Sequence, residues 1–221
     1  MSRVVALLGA ESTGKTTLAQ SLAEALAADG RRVAVVAEYL REFCTRYGRT
    51  PRQDEQAAIA AEQTRRIALA AASHDLVIAD TTALMIAVYS DLVFADTGLY
   101  AAAEAAHRGA CDHTLLTALD LPWQADGLQR DGPHVREPVD ALVRAALLRS
   151  RTAYGVVFGH GDARVHAALA SVRRMLDPPS GVDDAGASPR WRWHCERCGD
   201  AHCERHARLP KLDVRGENGA R

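Results

Sequence analysis

The residues Gly9-Ala10-Glu11-Ser12-Thr13-Gly14-Lys15-Thr16 carry the spacing G-x-x-x-x-G-K-[ST], with Thr17 directly after. Those residue types in that order suit the grip of a nucleoside triphosphate. Glycines let consecutive backbone N–H groups point inward at phosphate oxygens, the helix that follows adds positive potential, and an ammonium at position 15 reaches the β- and γ-phosphates. The Thr16 hydroxyl suits a Mg²⁺ ion carried by the triphosphate. Lys15 and Lys211 are the only lysines among 27 basic residues, so the ammonium at position 15 marks a chemical requirement that arginine does not meet. Glu11, an acid inside an anion-binding loop, is expected to turn away from the triphosphate, toward an acceptor or a closing loop.

Three other groups extend this chemistry. Asp80 ends the apolar run Leu76-Val77-Ile78-Ala79. Alone, such an aspartate is as well explained by the turn that follows it; beside a phosphate loop it becomes a candidate for holding the Mg²⁺ shell. Glu38 lies just beyond a second apolar run, with Arg41 and Glu42 following. It reads either as a base near an acceptor hydroxyl, at the sheet edge where such folds bind ligands, or as an ordinary acidic helix start. The polar stretch 120–133, with Gly127 and Gly132, is a candidate lid from which Arg130 and Arg136 could reach the β- and γ-phosphates and exclude water. Trp123 within it either stacks on a flat ring or anchors the loop by burial.

The elements that must position these groups follow from periodicity. Short apolar runs at Val4 to Leu8, Val33 to Val36, Leu76 to Ala79, His113 to Leu119 and Gly155 to Phe158 alternate with helical patterns over about 16–28, 53–72, 80–108, 136–151 and 162–175. Buried strands alternating with helices predict a parallel five-stranded sheet covered on both faces, a three-layer α/β/α phosphate-loop fold. From residue 177 the apolar periodicity stops. The expected division is a nucleotide-binding kinase-like domain over 1–176, a flexible linker over 177–190 and a Cys/His-rich tail over 191–221.

Together, Gly9 to Leu18, Glu38-Tyr39-Leu40-Arg41-Glu42-Phe43, Glu62-Gln63, Ile78-Ala79-Asp80-Thr81 and Trp123 with Asp126-Gly127-Leu128-Gln129-Arg130 resemble the NadR family of phosphate-loop AAA-type kinase domains, over residues 3–176. The acidic residue inside the loop and the Glu-Tyr-x-Arg-Glu stretch are the family-specific parts. The resemblance implies a nucleoside/nucleotide-kinase fold and transfer of the ATP γ-phosphoryl to the 5′-hydroxyl of nicotinamide riboside, in NAD salvage. It implies that Lys15 and Thr16 hold triphosphate and Mg²⁺, that Asp80 serves the metal or acceptor end, that Glu38 stands near the acceptor, and that Arg130 belongs to the lid. The segment Gly159 to Arg164 would lie beside adenine. Nothing precedes Ser2 here where multifunctional members carry an adenylyltransferase domain, so phosphorylation of the riboside without adenylylation of the mononucleotide is expected. A nucleotide-dependent regulatory ATPase or GTPase module without a metabolic acceptor is the alternative.

The tail contains Cys195-x₂-Cys198-x₄-Cys203-x₂-His206, whose ligand types could surround a structural, tetrahedral Zn²⁺. Trp191, Trp193 and the surrounding arginines read equally well as an adhesive tail that contacts a protein partner or a second copy of the chain. Five cysteines, an odd number, argue against a disulfide framework. Opposing charges of 27 and 28 leave a formal net charge of -1, which gives no basic field for nucleic acid, and no apolar run is long enough to span a membrane. A cytoplasmic enzyme acting on a small-molecule nucleoside, with ATP and Mg²⁺, is the expectation.

Overall fold

A computed structural model describes residues 2–124 and 132–177 of the 221-residue chain. Five strands form one parallel sheet: β1 (Arg3–Leu8), β2 (Val33–Val36), β3 (Leu76–Asp80), β4 (His113–Thr117) and β5 (Gly155–Val157), in the order β2-β3-β1-β4-β5. β1 is therefore central, with Leu7 level with Asp80 of β3 and Leu8 level with Leu116 of β4. Every described strand pair is parallel, as strands separated by crossover helices require.

The pleat sends alternate side chains to opposite faces, and the two cores follow from that alternation. Val5 and Leu7 of β1, with Leu76 and Ile78 of β3, pack against α1 (Lys15–Ala28) and α7 (Gly161–Leu176). On the other face, Val4, Val77 and Ala79 meet Ile67 of α3 (Gln56–Ala71), while Leu8 meets α4 (Ala83–Phe94), α5 (Tyr100–Ala110) and α6 (Arg136–Arg149). A short helix, α2 (Tyr39–Tyr47), docks through Phe43 and Cys44 onto Ile59 of α3 and Ile86 of α4.

The five expected strands and the alternation of helices are present. β4 stops at Thr117 although its apolar run continues to Leu119, because the chain there turns to bring Asp120 against the Gly159 N–H. Residues 53–55 form a separate 3₁₀ turn ahead of α3, fixed by Glu55, which accepts from the Arg52 N–H and pairs with Arg49. Among the described residues no helix is long and apolar enough to cross a membrane, and no cluster of three metal-ligating side chains occurs. Cys195, Cys198, Cys203 and His206, most of the linker and the whole tail lie outside the described residues, as does Arg130.

Candidate active site

The phosphate loop leaves the carboxyl end of central β1 and enters α1 at Lys15. Gly9 takes φ +145°, and a Cβ there would stand 2.1 Å from the Thr117 hydroxyl oxygen, so both the conformation and the space demand glycine. Gly14 takes φ +73° at the start of α1, and Leu121 packs so closely over it that a Cβ would meet the leucine at 2.9 Å. Ser12 also adopts positive φ, +54°, uncommon for a residue with a side chain.

The loop is held from several sides. Thr13 Oγ1 stands 2.7 Å from Ala10 O and 2.7 Å from the hydroxyl oxygen of Thr117 on β4, which is 3.1 Å from Leu8 O, so the two hydroxyl protons serve these three contacts between them. Arg164 of α7, buried, donates to Thr13 O at 2.7 Å, to Gly159 O at 3.1 Å and to the Asp120 carboxylate at 3.2 Å. It thus braces the loop backbone and does not line the cleft. Ser12 donates to Gln124 O at 2.7 Å and accepts from the Gln124 N–H, which fastens the segment leading into 125–131 to the loop. The Lys15 ammonium lies over the loop and donates to Gly9 O and Ala10 O, both at 2.8 Å.

Thr16 and Asp80 meet. The Thr16 hydroxyl donates to Asp80 Oδ2 at 2.6 Å, while Asp80 Oδ1 is buried without a hydrogen-bond partner. A hydroxyl beside a carboxylate with a spare buried lone pair is a donor set of hard oxygens, which fits Mg²⁺. Glu38 sits at the start of α2 with its side chain 14% exposed and its carboxylate 3.5 Å from Arg41. Burial, reinforced by the negative charge of Asp80, pushes its carboxyl above the ordinary carboxylate range against the opposing pull of Lys15 and Arg41.

These groups open onto one cleft of about 1110 Å³. The phosphate loop, including the buried Glu11, lines it together with Leu121, Pro122 and Gln124; the rest of the wall is mixed, with Leu40, Cys44, Tyr89 and Phe94 beside the polar Arg41, Arg52, Gln53 and Gln56. Glu38 lies on its wall together with Lys15 and Thr16. Of the residues singled out in the sequence, those from Glu11 to Thr17 and Glu38 line this cleft, and Asp80 joins them through Thr16. Arg136, at the start of α6, is buried with two guanidinium nitrogens unpartnered and is absent from the cleft wall. Thr117 and the braces around Asp120 were not visible in the sequence, because they depend on β4 lying beside β1 across more than a hundred residues.

Comparisons with known proteins bear on this geometry. The family model described as "AAA domain" matches residues 4–164. No curated protein matches the chain in sequence. Among solved structures, a crystal structure of NadR protein in complex with NR is similar with a TM-score of 0.63 at 21% identity, covering 79% of this chain and 51% of that one. A crystal structure of NadR in complex with NAD and AMP-PNP is similar with a TM-score of 0.61 at 20% identity, covering 79% and 49%. A deoxyadenosine kinase from M. mycoides, with products dCMP and a flexible dCDP bound, gives a TM-score of 0.54 at 12% identity, covering 77% and 98%. The chain spans about half the length of the NadR structures it matches. At these identities the likeness is one of fold.

Proposed function

The chain belongs to the AAA domain family, and from that premise we propose that it is an ATP-dependent phosphotransferase that moves the γ-phosphoryl group to the 5′-hydroxyl of a nucleoside, nicotinamide riboside being the first acceptor to test. The observation that carries this reading is the placement of Glu38: a half-buried carboxylate with a raised proton affinity, on the wall of a cleft that runs from the phosphate loop into room walled by both apolar and polar side chains. A nucleotide switch needs the loop, but it has no use for a base beside such a room. The NadR structure with NR and the deoxyadenosine kinase with dCMP share this fold, and a nucleoside in the room accords with both.

In this reading the loop amides and the Lys15 ammonium bind the β- and γ-phosphates, and the ammonium exchanges its bonds to Gly9 O and Ala10 O for phosphate oxygens. Thr16 and Asp80 would hold Mg²⁺, which when bound screens the phosphate charge. Glu38 accepts the proton of the acceptor hydroxyl as the oxygen attacks, and its raised proton affinity makes it a stronger base than an ordinary carboxylate. The apolar side chains of the cleft wall position a flat ring and keep water from competing with the acceptor.

The test is ADP formation with and without nucleosides. Acceptor-dependent ADP and a phosphorylated nucleoside are expected, and Lys15→Ala should lower kcat/KM by about a hundredfold or more. Steady ATP or GTP hydrolysis indifferent to every nucleoside would point instead to the regulatory reading.

A further inference from the structure

Gln63 is fully buried on α3 and takes no part in the chemistry just described, yet all three of its amide hydrogen bonds go to backbone groups flanking the two carboxylates. Its Oε1 accepts from the Tyr39 N–H at 2.8 Å, and its Nε2 donates to Ala37 O and to Thr81 O, each at 3.3 Å. Ala37 and Tyr39 bracket Glu38; Thr81 follows Asp80. One amide therefore joins the turn after β2 to the turn after β3.

Two details give this bridge more than a space-filling role. At the start of α2 the Glu38 side chain makes no capping hydrogen bond, and one of the helix's orphan donors, the Tyr39 N–H, is satisfied by Gln63. The Glu38 carboxylate is thereby left to the cleft. Thr81, for its part, holds φ +75°, a strained conformation for a β-branched residue, and such strain persists only where the surroundings over-determine it. The Gln63 amide grips its carbonyl while the Thr81 N–H donates to Leu7 O at 3.1 Å.

We propose that Gln63 is a positioning residue that sets the placement of Glu38 relative to Asp80 by bridging the two turns that carry them. The proposal rests on the phosphotransferase reading, since it concerns the base and metal-side carboxylates of that reaction. Removing the bridge frees two turns to drift while the loop keeps the bonds that Arg164 and Gln124 make to it, so nucleotide binding survives and the chemical step suffers.

Gln63→Met, similar in volume and unable to form the three bonds, is compared with Ile67→Ala, which loosens the same helix where it packs on Val77 and Ala79 but leaves the amide in place. In Gln63→Met, kcat is expected to fall about thirty- to a hundredfold, with Mg·ATP affinity by calorimetry and the KM for ATP changed by no more than about threefold. Hydrogen-exchange protection of the Tyr39 N–H should fall at least about tenfold. Ile67→Ala should lower Tm while keeping kcat within about threefold where it is folded. Should Gln63→Met fail to fold, Gln63→Asn, which keeps the amide but shortens its reach, takes its place. An unchanged kcat in the Gln63 variant, or an equal loss in Ile67→Ala, overturns the proposal. The exchange readout needs no turnover: unchanged protection of Tyr39 overturns it even if no acceptor is found, whereas a wild-type chain that phosphorylates nothing sinks only the phosphotransferase reading.

Discussion

Glu38 shows how a single side chain sets function against stability. Its carboxyl is pushed upward chiefly by burial, so the folded chain binds a proton there more tightly than the unfolded chain does. Stability is therefore lost as pH rises from the unfolded carboxyl value through the folded one, and the penalty is complete only above the folded value. Glu38→Gln removes the charge and with it the penalty. We expect this variant to raise Tm, by about 2–4 °C for each kcal/mol relieved, and to lower kcat about a hundredfold or more. The acidic limb of the pH–rate profile, which should lie above the ordinary carboxylate range in the wild type, should vanish with it. Thermal melts beside a pH profile check both halves; a variant that is slower without being more stable would mean that the carboxylate is better compensated than its burial indicates.

At the scale of elements, the phosphate loop is held from the far ends of β4 and β5, so the proposed grip on triphosphate should depend on them as much as on the loop itself. Arg164 joins three segments by hydrogen bonds from one buried guanidinium, to the backbone carbonyls of Thr13 and Gly159 and to the Asp120 carboxylate. Arg164→Met keeps the aliphatic bulk and deletes those bonds, leaving two carbonyls and a carboxylate short of a donor. The expected result is a lower Tm together with nucleotide affinity weakened about tenfold or more, read by calorimetry. An unaffected affinity would restrict this arginine to packing.

Legibility at this scale was uneven for physical reasons. β1, β3 and the phosphate loop announce themselves locally, by an apolar run followed by glycines or a carboxylate. α4 is buried nearly all round, from Ala83 to Val88, so it has no polar face to mark its period and reads only as part of a broad helical stretch. The contacts of Gln63 and Thr117 span 18 to 109 residues, and no local pattern announces which backbone groups a side chain will meet. The carboxylates themselves were legible as candidates, while what holds them in place was not.

For the molecule as a whole, acid stability should turn on a histidine that the proposed chemistry does not use. His107 of α5 is buried between two threonines, with Nδ1 3.0 Å from the Thr82 hydroxyl and Nε2 2.9 Å from that of Thr114. Burial lowers its pKa from 6.5 to about 4. The folded chain thus refuses a proton that the unfolded chain accepts below about pH 6.5, and stability falls as pH drops from there toward 4. This one group should cost about 2 kcal/mol between pH 7 and pH 5. Urea unfolding at the two pH values measures it, and His107→Gln should flatten that part of the dependence; an equal slope in the variant would place the acid sensitivity elsewhere.

The strand order has a bearing on how such a protein can diverge. With β1 in the middle, Thr117 and Arg164, which brace the phosphate loop, hang on the β4–β5 side, whereas Glu38, Asp80 and much of the remaining cleft wall hang on the β2–β3 side. Under the phosphotransferase reading, exchanging side chains such as Leu40, Cys44, Tyr89 or Phe94 would retailor one flank for a new guest while the other flank keeps its fuel. Lineages, and protein engineers, are free to change the customer without rebuilding the engine.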